Sequence, residues 1–147
     1  MNELYNNEIL KLAVSIPRTE RLADPDVTVT KTSRICGSRV TVDLKFEDGR
    51  IAEYAQEVKA CALGQAACSV VGRQIIGRQR SEIEKVVTEM RAMLSGQGQG
   101  PGGDWAALQI LQPARDHKSR HTSIMLSFEA ILEGFRTTTA EAVAQTG

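Results

Sequence analysis

Two cysteines lie where the local pattern of the chain changes. Cys36 sits in Ile35-Cys36-Gly37-Ser38, between two strand-like runs, and Cys61 sits in Ala60-Cys61-Ala62, where a strand pattern stops and a helical one begins. Thiols at element ends can meet in space and face solvent, which suits metal or sulfur chemistry. Gly37 frees the backbone beside Cys36 to approach a ligand, and a helix start places the positive end of the dipole beside Cys61, favouring a thiolate. Each also has a plain reading, because cysteine is a small hydrophobe that often packs inside. Cys68 stands apart: seven residues of helix separate it from Cys61, about 10 Å along the axis. Thiolate–zinc bonds of about 2.3 Å do not bridge that gap, and the apolar neighbours of Cys68 suit a packed position. His117 and His121 are four apart, the spacing of two ligands on one helical face. Arg115, Lys118 and Arg120 between and beside them repel a cation and suit a solvated basic segment, so only His121 is kept as an alternative ligand. No phosphate loop, nucleophile–base pair or paired-carboxylate signature is present.

The elements that position these residues follow from periodicity. Tyr5, Ile9, Leu12, Ala13 and Ile16 predict a helix over 4–16, stopped by Pro17. Residues 27–34 alternate valine and threonine, and Val40, Val42, Leu44 and Phe46 alternate with polar residues, both strand signals. Asp48-Gly49 predicts a hairpin turn, since both positions tolerate positive φ, and 51–60 returns as a third strand of an antiparallel meander. Leu63, Ala66, Ala67, Val70, Val71 and Ile75 follow a helical period, with Gly77 as a C-terminal cap. Ser81-Glu82-Ile83-Glu84 reads as a capping box opening a second helix through Leu94. Residues 95–103 carry Gly96, Gly98, Gly100, Gly102 and Gly103 and predict a flexible loop. A short helix from Asp104 to Leu111, a polar loop over 114–122 and an amphipathic helix from Ser123 complete the chain. Helix, three strands, then helices is an α+β order, with a helical layer on one face of the sheet. A single domain over 1–147 is expected.

Composition narrows the class. The chain has 147 residues, 41% hydrophobic and 24% charged, with 18 basic residues balancing 18 acidic ones. That balance supports neither a general nucleic-acid surface nor an anionic-membrane surface. No apolar run reaches the roughly 18–20 residues of a membrane span, and no secretory signal pattern opens the chain. Three cysteines without a disulfide framework point to a reducing cytoplasm.

Taken together, these segments resemble the NifU/IscU/SufU family of iron–sulfur cluster assembly scaffolds. The likeness rests on the first helix before Pro17, the connector Leu22-Ala23-Asp24-Pro25-Asp26, Ile35-Cys36-Gly37-Ser38, the hairpin over 46–51 and Ala60-Cys61-Ala62-Leu63-Gly64. Asp104-Trp105-Ala106-Ala107-Leu108 and Arg120-His121-Thr122-Ser123 look most like the SufU-type branch. Leu111-Gln112-Pro113-Ala114-Arg115 is only a weak echo of the Leu-Pro-Pro-Val-Lys motif of the IscU-type branch. The resemblance implies a SufE/NifU-like fold and a site of three cysteines and an aspartate. The first two cysteines fall on Cys36 and Cys61. The aspartate falls on Ser38, the third cysteine on Ser123, and a histidine of the IscU-type branch on Thr122.

Because a serine hydroxyl stays protonated near neutral pH, it is a poor ligand beside thiolate or carboxylate. His121, solvent or a second molecule would have to complete the shell, and Ser123 could instead cap the last helix. The resemblance therefore implies a scaffold binding iron and sulfur through Cys36 and Cys61, holding a transient iron–sulfur cluster or zinc, or nothing. Its implied partners are a cysteine desulfurase and apo iron–sulfur client proteins, with the chain a monomer or weak homodimer. A sulfur-accepting partner of a desulfurase, and an interaction module with a degenerate site, are the alternatives. A scaffold rather than an enzyme is expected.

Overall fold

In the computed structural model the backbone is described over residues 6–146 and side chains through 138. Leu4 and Tyr5, expected in the first helix, lie outside the described residues. Helix α1 runs Asn7–Ala13, with the Asn6 side chain accepting from the Ile9 amide at 3.0 Å as its cap. It ends three residues before the Ile16 boundary expected from periodicity, because only Ile9 and Ala13 on this stretch are buried and Val14 is 85% exposed.

Strands β1 (Val27–Thr32), β2 (Arg39–Glu47) and β3 (Arg50–Lys59) form one antiparallel sheet in the order β1-β2-β3. This is the expected meander. Asp48 and Gly49 adopt φ of 53° and 75°, the left-handed pair that a two-residue hairpin requires. The register sets Val42 opposite Gln56 and Leu44 opposite Tyr54, so these share a face. That face packs on helices α2 (Ala62–Gln74) and α4 (His121–Thr146). Gly134 of α4 leaves room for Leu44 and Val27, and Phe46 packs against Phe135 with centroids 4.8 Å apart and the rings tilted by 50°. On the opposite face, the buried Asp43 carboxylate accepts from Arg21 Nε at 2.6 Å, Thr28 Oγ1 at 2.6 Å and the Leu22 amide at 3.1 Å. The connector over 18–26 is thereby clipped to the sheet.

Helix α3 spans Arg80–Leu94 and begins two residues earlier than expected, with Gln79 and not Ser81 at its N-cap. The capping interaction is the Glu82 carboxylate accepting from the Gln79 amide at 3.1 Å, not Ser81 with Glu84. An isolated bridge between Arg50 and Gln79 holds the entry extended, so Ser81 is already helical.

The segment after α3 departs most from expectation. A 3₁₀ helix covers Gly103–Asp116 and a second one covers Lys118–Arg120, where a short helix and a polar loop were expected. Trp105, Leu108, Leu111 and Ala114 recur every third residue and are all buried, which is the period of a 3₁₀ stripe and not of an α-helix. The glycine-rich stretch is fastened to this segment. Gln109 and Gln112 each donate at 2.8 Å, to the carbonyls of Pro101 and Gln99, and Pro101 is buried. Among the described residues no helix is long and apolar enough to cross a membrane.

Candidate functional site

Three elements converge on the thiols. The loop between β1 and β2 is closed by backbone hydrogen bonds from Ser33 N to Ser38 O (2.8 Å) and from Gly37 N to Ser33 O (2.9 Å). Gly37 takes φ of 73°, which a side chain would strain, so the loop turns back within six residues. Its tip carries Cys36, exposed, while Ser33 and Ser38 beneath it are 1% and 4% exposed. The second element is the start of α2. Cys61 is its N-terminal cap residue, with an extended backbone and no side-chain cap bond, so the thiol is free for other partners. The third element is the first turn of α4, where Ser123 is 1% exposed. Gly64 on α2 makes this approach possible. A Cβ there would lie 2.6 Å from Ser123 Oγ and 3.2 Å from the Ser123 carbonyl oxygen.

The side chains form one continuous chain of contacts. Cys36 Sγ lies 3.4 Å from Ser33 Oγ and 3.2 Å from Ser38 Oγ. Ser123 Oγ donates to Ser38 Oγ at 2.9 Å, and Cys61 Sγ lies 3.6 Å from Ser123 Oγ. Ser123 spends its one proton on Ser38, which leaves its oxygen to accept from Cys61 and leaves the Ser38 proton for Cys36. Cys36, Ser38, Cys61 and Ser123, expected to share a site, are therefore brought together. Ser123 is not an N-cap: α4 already begins at His121, and the hydroxyl is committed to the cluster. Burial pushes the Cys36 thiol up, but hydrogen bonds from the Ser33 and Ser38 hydroxyls and the Ser38 backbone outweigh it and lower its pKa from 9.0 to about 7.

His121 is placed elsewhere. Its ring Nε2 is 2.8 Å from the Ala114 carbonyl oxygen, and it lines a separate groove of about 390 Å³ with Arg91, Lys118, Met125 and Glu129. Two residues along a helix is a rotation of about 200°, so His121 and Ser123 cannot share a face. His117 falls between the two 3₁₀ segments and is exposed. Cys68 is 1% exposed, and burial pushes its thiol up to about 12. That is the core position its neighbours suggested. Among the described residues no group of three or more His, Cys, Asp or Glu side chains is placed to hold a metal ion.

Two contributors escaped the sequence reading. Ser33 lies in a threonine- and serine-rich strand end, and only the closed loop turns its hydroxyl to Cys36. Gly64 was visible within the Cys61 motif, but its role depends on where α4 crosses α2.

A sheet flanked by helices on one face, with two thiols and three buried serines gathered at one end, defines a scaffold-type α+β domain. The model of the NifU-like N-terminal domain family matches residues 4–122, and the chain belongs to that family. Cys36, Ser38 and Cys61 lie inside the matched span, and Ser123 one residue beyond it. The chain is 41% identical to a NifU-like protein (N-terminal) from Brucella abortus, described as nitrogen-fixing, and the structures superpose with a TM-score of 0.91 over 95% of this chain and 96% of that one. It is 25% identical to the iron–sulfur cluster assembly scaffold protein IscU of Thermotoga maritima, over 90% of this chain and 93% of the relative. The SufU protein of Fervidobacterium islandicum AW-1 shares the fold, with a TM-score of 0.79 at 19% identity over 88% of this chain and 94% of that one.

Proposed function

We propose that this chain is an iron–sulfur cluster assembly scaffold whose working groups are Cys36 and Cys61. The observation that carries the reading is the convergence of Cys36, Ser38, Ser123 and Cys61 in one unbroken chain of contacts. Family membership and the printed role of the Thermotoga relative support it. Iron and sulfur are the cargo, a cysteine desulfurase would supply the sulfur, and apo proteins would take the finished cluster.

The residues divide the work. Cys36 is exposed and its thiolate is populated near neutrality, so it can reach a donor's persulfide. Its Sγ would attack the outer sulfur, forming one S–S bond while the donor's S–S bond breaks and the donor leaves as a thiolate. Reducing that sulfur to sulfide takes two electrons from an external thiol reductant. Ser33 and Ser38 hold the attacking sulfur in place and stabilise its charge. Cys61, half-buried at the positive end of α2, is the second thiolate for iron. The donor set fits zinc or a complete cluster only in part, because one chain offers two thiols and three hydroxyls.

Anaerobic reconstitution with iron and sulfide tests the reading. A visible cluster spectrum that is lost in Cys36→Ser and in Cys61→Ser is expected. A second reading, a sulfur acceptor that builds no cluster, draws on the exposure and lowered pKa of Cys36. It wins if sulfur from a desulfurase is taken up on Cys36 and no chromophore forms.

A further inference from the structure

We propose that the groove between the end of α3 and the start of α4 binds a small monocarboxylate, a carboxylate head carrying a short apolar chain. The groove holds about 390 Å³, and none of Cys36, Ser38, Cys61 or Ser123 lines it. That volume lies at the lower end of small-molecule pockets, about 300–1,000 Å³, and is too small for a folded partner. Its floor is apolar. Leu94 and Met125 line it with the little surface they expose, 4% and 3%, and an alkyl chain laid there would take that surface out of water.

The rim supplies cations and a donor that the protein itself leaves unused. Lys118 has no ion-pair partner among the described residues, and the Thr122 hydroxyl makes no hydrogen bond to them. Arg91 meets Glu129 through one contact of 3.4 Å, with the two side chains 59% and 36% exposed. Such a solvated pair is loose, and most of the five guanidinium N–H groups stay open to a second carboxylate. His121, counted neutral, donates its Nε2 proton to the Ala114 carbonyl at 2.8 Å, so its ring is a fixed wall. Arg91 and Lys118 against Glu129 leave one net positive charge, which matches a monoanion and not a phosphate dianion. The flanking sequence adds to this bias: over 114–121, Arg115, Lys118 and Arg120 outnumber Asp116 in a chain of zero net charge. Neither the thiol site nor the core uses this excess, since Arg115 and Lys118 are both exposed.

The test is titration of the isotope-labelled full chain with hexanoate, inorganic phosphate and hexanol, following backbone amide shifts by NMR. Hexanoate should give saturable shifts confined to residues 91–95, 118–122, 125 and 129. Phosphate lacks the chain and hexanol lacks the charge, so each should bind about tenfold or more weaker. Lys118→Glu, at an exposed position, should weaken hexanoate binding about tenfold or more. Lys85→Glu makes the same charge change at an exposed site of α3 outside the groove and should alter binding by less than about twofold. Shifts that do not saturate, or that scatter over the other lysines and arginines, overturn the proposal. So does an equal loss in the two variants, which would mean attraction to general charge. Phosphate or hexanol binding as tightly as hexanoate overturns it too, because head and chain would then not act together.

Discussion

Sulfur at Cys36 is controlled by oxygen. Its neighbours are hydroxyls, which donate to a thiolate without adding charge, whereas an aspartate at position 38 would oppose ionisation while offering a stronger metal ligand. On the proposed reading, serine at 38 and 123 would trade metal affinity for a more readily ionised Cys36 thiol. Iodoacetamide labelling of Cys36 followed by mass spectrometry should reach half its maximal rate at about pH 7, not near 9.0. The sign follows from an acid whose pKa is lowered: the reactive anion persists down to pH 7 and is lost below it. Ser38→Ala should move that midpoint upward, and a midpoint that stays near 9 in the parent would show that the hydroxyls do not act on the thiol. Cys68, buried with a pKa near 12, should label only after unfolding. The metal side of the trade has its own test. Ser38→Asp combined with Ser123→Cys should raise zinc affinity by about tenfold or more, since thiolate and carboxylate replace two protonated hydroxyls. Calorimetric titration showing no gain would mean that these positions do not converge on a metal.

At the scale of elements, the site exists because α2 and α4 cross closely enough for Ser123 to bridge Cys61 and Ser38. Gly64 sets that distance. Alanine is favoured over glycine in a helix by about 1 kcal/mol. Here the added methyl meets a buried hydroxyl at 2.6 Å and a backbone carbonyl at 3.2 Å, which must both give way. Overpacking of this kind costs about 1–3 kcal/mol, so Gly64→Ala should be destabilising despite its better propensity. Urea denaturation would read that loss, and the pH midpoint of Cys36 labelling should rise as Ser123 is pushed from Ser38. A variant that is more stable than the parent would show that the helices separate freely at this crossing.

Across the whole molecule, the sheet has a helical face and a face held by the 18–26 connector, and Asp43 links the second arrangement. Burial raises its pKa, yet Arg21, Thr28 and the Leu22 amide outweigh that and hold it below 3.8. The folded state therefore binds this proton more weakly than the unfolded chain. Its stabilising contribution is complete above the unfolded pKa and disappears as pH falls through the lower folded value. Asp43→Asn should cost about 2 kcal/mol at pH 7, the scale of charged hydrogen bonds lost from one buried carboxylate. Arg21 is 47% exposed, and solvent screening keeps the loss from being larger. In thermal melts the gap between parent and variant should narrow below about pH 3.8; a gap independent of pH would assign the loss to shape and not to charge.

The sequence by itself determined the α+β order, the meander, the Asp48-Gly49 hairpin and the placement of Cys36 and Cys61 at element ends. All of these rest on local periodicity and turn stereochemistry, which a few adjacent residues dictate. It did not reveal the 3₁₀ stripe of Trp105, Leu108, Leu111 and Ala114, because a three-residue period beside a glycine-rich stretch is easily taken for a short helix and a loop. Nor could it exclude His121, whose separation from Ser123 depends on α4 beginning two residues before the serine. Tertiary structure alone decided that Ser33 reaches Cys36, that Gly64 admits Ser123, and that Ser38 and Ser123 touch. Those contacts join residues far apart in the chain, and their distances are set by how α2, α4 and the sheet pack around one core.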